Sequence, residues 1–195
     1  MSREIAIQDI PKSLIYEMVD GKPIYYKGYV DVLKGNKQPE EIMGDSNIQA
    51  LLKILLGTFL TNNLGKKYII TGGEHGLLFR KKSWRAADLA IFSVQNYEWT
   101  NKYSTKPPEV VIEIDTKADL ESFDETINYF DEKTEQLLKF GVKKVIWIFT
   151  ESEKVKIINT DDSRQTFHWS DDILVWEDCI MNIQKIIDDS PLKTK

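Results

Sequence analysis

Val145-Ile146-Trp147-Ile148-Phe149 is an unbroken apolar run. Five residues fall far short of a bilayer span, and the run lacks the alternation of a strand with one wet face. It reads instead as a strand buried on both sides, which obliges the chain to cover two faces of a sheet.

The segments around that run supply the cover. Ile48, Leu51, Leu52, Leu55, Leu56, Phe59 and Leu60 recur at threes and fours, predicting an amphipathic helix over 45–62 capped by Asp45 or Ser46. Residues 123–140 form a second long helix, closed by Gly141. Strands are expected over 23–33, 67–71, 75–80, 87–93 and 109–115, with a hairpin of 154–159 and 165–169. Residues 12–20 read as a short helical or turn segment ending at Asp20-Gly21, and 178–188 as a short closing helix. Helix, strands, helix and buried strand in that order make an α/β fold with a mixed β-sheet flanked by two main helices. The 195 residues, 42% of them hydrophobic, suit a single domain spanning 1–195.

Composition narrows the function classes. No segment has the order of a signal peptide or the length of a membrane span, so a cytoplasmic protein is expected. One cysteine, Cys179, excludes an internal disulfide framework and a cysteine zinc cage, and reads as a buried structural thiol. His75 and His168 stand too far apart in sequence to build a histidine site. The net charge of −5 argues against indiscriminate coating of nucleic acid.

Two carboxylates fall where apolar residues belong. In Val110-Val111-Ile112-Glu113-Ile114-Asp115, Glu113 shares a face with Val111 and Asp115 inside a strongly apolar strand. A charge there must be paired, protonated or bound to a metal. Asp88 heads the apolar Leu89-Ala90-Ile91-Phe92 in the same manner. Adjacent strands that each present a carboxylate make a natural site for a hard divalent cation. On the following helix, Lys133 shares a stripe with Phe130, Leu137 and Phe140 and is aimed at the sheet. Each residue alone has an ordinary structural explanation; the three in this order of elements are harder to explain that way.

The order of motifs then resembles a known family. Tyr16-Glu17-Met18-Val19-Asp20-Gly21, a long helix, Ala87-Asp88-Leu89-Ala90-Ile91, Val111-Ile112-Glu113, then Lys133 eight residues before Gly141-Val142 and the Trp147 strand resemble the Uma-type restriction endonucleases of the PD-(D/E)XK superfamily. Ile173-Leu174-Val175 and 183–187 are similar to that family's closing strand and helix. The resemblance implies a restriction-endonuclease-like sheet with an extra N-terminal strand region and a C-terminal hairpin. It implies Asp88 and Glu113 as ligands of Mg²⁺ or Mn²⁺ with the Ile114 carbonyl, Lys133 as the catalytic lysine moved onto the helix, and Glu17 completing the acidic cluster. The chain departs from the pattern in having Ala87 for the usual proline, no histidine at the head of the first long helix, and a longer segment between Glu113 and Lys133. That last departure leaves a second register open, in which Asp115-Thr116-Lys117 supplies the acid and the lysine.

The expected chemistry is phosphodiester hydrolysis, DNA being the favoured substrate, with a metal-activated water. Lys66-Lys67 and Arg80-Lys81-Lys82-Ser83-Trp84-Arg85 are the candidate phosphate contacts. A homodimer would bring two sites to two strands. The rival reading is a nuclease-fold module that binds nucleic acid or protein without cutting. A glycosidase built on Glu113 would leave Lys133 unused.

Overall fold

The computed structural model describes residues 10–115 and 126–194. Its centre is an eight-stranded mixed sheet built from β1 (Ile15–Val19), β2 (Lys22–Tyr25), β3 (Tyr68–Arg80), β4 (Ser83–Ser93), β5 (Val110–Ile114), β6 (Lys144–Phe149), β7 (Lys154–Asn159) and β8 (Arg164–His168). Along the sheet the order is β2-β1-β4-β5-β6-β7-β8, with β3 paired to β4. β5 and β6 are parallel and every other pair is antiparallel. A parallel pair needs a crossover between its strands, and α4 (Thr126–Phe140) lies in that interval. β5 and the centre of β6 are buried throughout, as expected of strands covered on both faces.

Helix α3 (Asn47–Leu64) covers one face. Its Leu52, Leu56, Leu60 and Leu64 form a ridge at intervals of four that packs on Leu89, Ile91, Ile112, Ile114, Ile146 and Ile148. The β9–β10 hairpin (Ile173–Trp176, Cys179–Met181) and α5 (Ile183–Asp188) extend the same core. Helix α4 covers the other face, with Tyr129 and Leu137 in a cluster with Ala90, Phe92, Val111, Val145 and Trp147. Cys179 is free and buried. Among the described residues no helix is long and apolar enough to cross a membrane.

Several local expectations are corrected. The run 23–33 is strand only to Tyr25; Gly28, at φ 86, turns the chain into the short helix α1 (Tyr29–Leu33), where Tyr29 stacks on Tyr25. Aromatic and β-branched residues favour a strand locally, and a left-handed glycine overrides that preference. A further turn of helix, α2 (Glu40–Met43), precedes α3. The segments 67–71 and 75–80 are one strand interrupted by an irregularity between Gly72 and His75. Residues 12–20 hold a 3₁₀ turn (Lys12–Leu14) followed by β1, and 178–188 hold β10 before α5. The start of the helix expected over 123–140 lies outside the described residues up to Thr126.

What positions the site is a gap in the ladder. β3 pairs along the length of β4 and occupies one of its edges. β1 and β5 therefore share the other edge, β1 meeting it at Trp84 and β5 at Leu89–Ile91. Between them, on that edge, Arg85 to Asp88 have no strand partner among the described residues.

Candidate active site

Side chains close the gap. The Ala86 amide donates to Glu17 Oε1 at 3.1 Å, and the Ile114 amide donates to Asp88 Oδ2 at 2.7 Å. The register Leu89↔Ile112, carried one residue further, sets Asp88 opposite Glu113 where β4 and β5 part. Both acids are almost wholly inaccessible.

Lys133 comes down from α4. Its Nζ lies 2.9 Å from Glu17 Oε1 and 3.0 Å from Glu113 Oε2, with the rings of Tyr16 and Trp147 at 5.9 and 5.6 Å from that ammonium. Glu17 Oε2 also accepts from Arg85 Nη1 at 2.6 Å and from the Tyr129 hydroxyl at 2.9 Å. Asp88, Glu113, Lys133 and Glu17 thus converge around the ladder gap. From the opposite face α3 contributes Lys53, whose Nζ is 2.8 Å from Asp88 Oδ1 and 2.7 Å from Asp45 Oδ1. Gln49, one turn earlier, donates to the Ile114 carbonyl at 3.0 Å.

The electrostatics divide the acids. Burial opposes the charge of Glu17, but Lys133 and Arg85 outweigh it and hold the carboxyl below its ordinary range. Burial pushes Glu113 up to about 8, Asp88 and Glu17 adding to the effect and Lys133 opposing it. Burial also works against the charge of Lys133, yet Glu113 and Glu17 keep its ammonium well above the usual lysine range. The site therefore holds one firmly ionised carboxylate, one carboxyl that readily keeps its proton, and a lysine fixed as a cation.

Other candidates lie elsewhere. Asp115, at φ 54, is engaged instead at the end of β6, where it accepts from the Thr150 amide and hydroxyl at 2.9 and 2.6 Å. Lys117 lies outside the described residues. Arg85 is corrected: it is fully buried against Glu17 and Gln136 and is closed to a phosphate. Lys66 and Lys67 are exposed at one end of the β3–β4 hairpin, Lys67 bound to Glu177, whereas Arg80, bound to Asp20, and Lys81 and Lys82 sit at the other end. Lys53 and Gln49 escaped the sequence reading, although a stripe of Gln49, Lys53, Leu56 and Leu60 on α3 is the signal that singled out Lys133.

A divalent cation held by this donor set would need water for much of its coordination. Among the described residues no three His, Cys, Asp or Glu side chains are gathered to hold a metal ion. Asp88 and Glu113 supply two carboxylates, and Glu113 Oε1 is a buried oxygen with no hydrogen-bond partner among the described residues. Two carboxylates and several waters meet the needs of Mg²⁺. The Ile114 carbonyl has one lone pair engaged by Gln49 and one left. A cleft of about 600 Å³ opens beside this point, lined by Lys27, Asp31, Lys37, Ser46, Gln49 and Asp115 among others.

The mixed sheet, its flanking helices, the N-terminal strands and the C-terminal hairpin define a restriction-endonuclease-like fold. A solved structure from Anabaena variabilis ATCC 29413, described as a "putative nuclease" of the DUF820 family, is similar over 88% of this chain and 89% of that one, with a TM-score of 0.64 and 12% identity. At that identity the likeness is one of fold. No family model matches the chain, and no curated protein matches it.

Proposed function

We propose that this protein hydrolyses phosphodiester bonds of nucleic acid, DNA being the favoured substrate, at the Asp88–Glu113–Lys133–Glu17 cluster. The observation that carries the reading is Glu113 opposite Asp88 at the parting of β4 and β5, its Oε1 buried without a hydrogen-bond partner among the described residues and its Oε2 3.0 Å from the buried Lys133 ammonium. Asp88 and Glu113, with the Ile114 carbonyl, would hold Mg²⁺ or Mn²⁺, which when bound supplies Lewis acidity and an acidified water. Lys133, protonated and clamped by two carboxylates, serves as a fixed positive charge facing the phosphate rather than as a base. Glu17 sets the position of Lys133 and shields it from Arg85. The Uma-type family would supply a matching precedent, and a homodimer would let two such sites address both strands of a duplex.

One observation favours a second reading. Lys53 sits on Asp88 Oδ1 at 2.8 Å, a cation already in place, as in a nuclease fold that binds without cutting. The test is Mn²⁺-dependent cleavage of supercoiled plasmid and of single-stranded oligonucleotides by the wild type, Asp88→Ala and the milder Asp88→Asn. Cleavage by the wild type that both substitutions abolish is expected. Equal activity in all three, or none in the wild type, overturns the hydrolase; in the latter case a thermal shift with Mn²⁺ shows whether the cation binds at all.

A further inference from the structure

The register across β5, β6, β7 and β8 carries the row that begins at the acids beyond α4. Glu113 lies beside Trp147, Trp147 beside Lys156, and Lys156 beside Thr166. At about 4.8 Å per strand, Lys156 stands roughly 10 Å along the sheet from Glu113. The rows on either side repeat the arrangement, with Phe149, Lys154 and His168 in one and Val145, Ile158 and Arg164 in the other. Trp147 is buried under α4, whereas Lys154, Lys156, Arg164, Thr166 and His168 are exposed. The helix covers β6 and Ile158 of β7, and the same face is left open at Lys154, Lys156 and β8.

Where the helix ends its cover there is a pocket of about 230 Å³. Phe130, Trp147 and Phe149 wall it, Phe130 standing edge-on to both other rings at 4.8 and 5.4 Å. Its rim carries Asp131, Lys156, Arg164, Gln165 and Thr166. Arg164 is engaged by Asp131 and Asp162. Lys156 forms no ion pair among the described residues, and its ammonium lies 5.6 Å from the centroid of the Phe149 ring. The Thr166 hydroxyl has no hydrogen-bond partner among the described residues, whereas Gln165, beside Ile157 in the register, has its side chain on the other face of β8. A cavity below the roughly 300–1,000 Å³ of drug-sized sites admits one ring system. Aromatic walls suit a flat heterocycle, the Thr166 hydroxyl suits its polar edge, and a lysine without an ion pair among the described residues suits one anionic group.

We propose that this pocket binds a nucleotide, the base against Phe130 and Phe149 and the phosphate on Lys156, as a site separate from the acid cluster. Trp147 belongs to both surroundings: its ring lies 5.6 Å from the Lys133 ammonium and also lines the pocket. The chemistry is shared by a free nucleotide and by an unpaired nucleotide of a strand, since a base in a duplex presents no ring face. Binding here requires no metal, so it stands or falls independently of the hydrolase reading.

The test is equilibrium binding to the full chain in EDTA. The probes are AMP, inorganic phosphate, a labelled single-stranded oligonucleotide and the same sequence as a duplex. The wild type is expected to bind AMP and the single strand, with AMP competing and phosphate failing to compete at equal concentration. Lys156→Gln is expected to weaken both by roughly tenfold, in line with the loss of one charged contact. Phe149→Leu, which keeps an apolar wall, is expected to weaken AMP by about fivefold or more, the lower end of base–aromatic stacking. Asp88→Asn should bind as the wild type does. AMP binding with the strand excluded identifies a free nucleotide as the ligand; binding of both identifies the strand. No AMP binding, phosphate competing as well as AMP, or Lys156→Gln and Phe149→Leu both binding normally overturns the proposal.

Discussion

At the scale of single residues, the site is a balanced buried array: Glu17, Asp88 and Glu113 against Arg85, Lys53 and Lys133. Balance of this kind is maintained because one member alone would be a stranded charge, costing about 3–5 kcal/mol. Lys53 is the member a divalent cation would replace on Asp88. Lys53→Met should therefore lower the stability of the metal-free protein by several kcal/mol and enlarge the rise in melting temperature produced by Mn²⁺. An Mn²⁺ shift no larger than in the wild type would show that Lys53 does not compete for Asp88. Glu113 gives a second prediction, whose sign follows from its raised pKa. Its carboxyl titrates at about 8 in the folded chain against 4.5 ordinarily, so between those values the folded state binds more protons than the unfolded one. Its contribution is complete below 4.5 and is lost as pH rises through 8. Melting temperature in EDTA should fall across that window in the wild type, and Glu113→Gln should flatten the fall. A parallel decline in the variant would assign the slope to other groups. Asp88, Glu113 and Lys133 were legible in the sequence because a charge amid apolar residues is conspicuous. Lys53 and Arg85 were not. A lysine stem can carry its charge out of an apolar stripe, and an arginine next to Lys81-Lys82 looks like part of a surface cluster until the alternation of β4 buries it.

At the scale of elements, the parts that place the site are helix ends. Ser46 caps α3 through a reciprocal pairing with Gln49, and the same turn sends Gln49 to Ile114 and Asp45 to Lys53. The cap was visible as a motif; its link to the acids depends on where α3 lies across the sheet, which no local pattern encodes. α4 ends in a Schellman arrangement, with Val142 N donating to Leu137 O and Gly141 N to Leu138 O. Gly141 has φ 120, and a Cβ there would meet Pro107 Cγ at 2.9 Å. Gly141→Ala should cost about 1–3 kcal/mol in strain, a drop of several degrees for a chain of this length. Because the end of α4 anchors the helix that carries Lys133, cleavage by this variant should fall together with its melting temperature. A scanning calorimetry trace that matches the wild type would mean the backbone is not strained there. The regular strands and long helices were legible from their periods, and the strand at 173–175 from its resemblance, whereas α1 and β10 were not, because each is too short for a period to register.

At the scale of the molecule, charge decides how nucleic acid can be held. In the formal count the three buried acids and three buried bases cancel, so the formal net −5 belongs to the rest of the chain. The basic groups named from sequence do not join into one face either. Lys66-Lys67 and Arg80-Lys81-Lys82 flank β3 at opposite ends, and a strand of 13 residues extends for roughly 40 Å. Only a duplex longer than about ten base pairs could touch both, at 3.4 Å per step along each strand. The proposed recognition of nucleic acid would therefore rest on a few local contacts made against an unfavourable overall field. Affinity for a short single strand should fall only gently with added salt, with a log–log slope near −2, as about three phosphate contacts give. Fluorescence anisotropy in EDTA from about 50 to 300 mM salt, spanning the Debye lengths that matter at these separations, measures that slope directly. Lys66→Glu together with Lys67→Glu should leave binding of an eight-nucleotide strand unchanged, because the positions lie at the far end of the hairpin from the other basic group. A slope steeper than about −5 would demand seven or so phosphate contacts, and hence a continuous basic surface that the separated lysines of this sheet do not form.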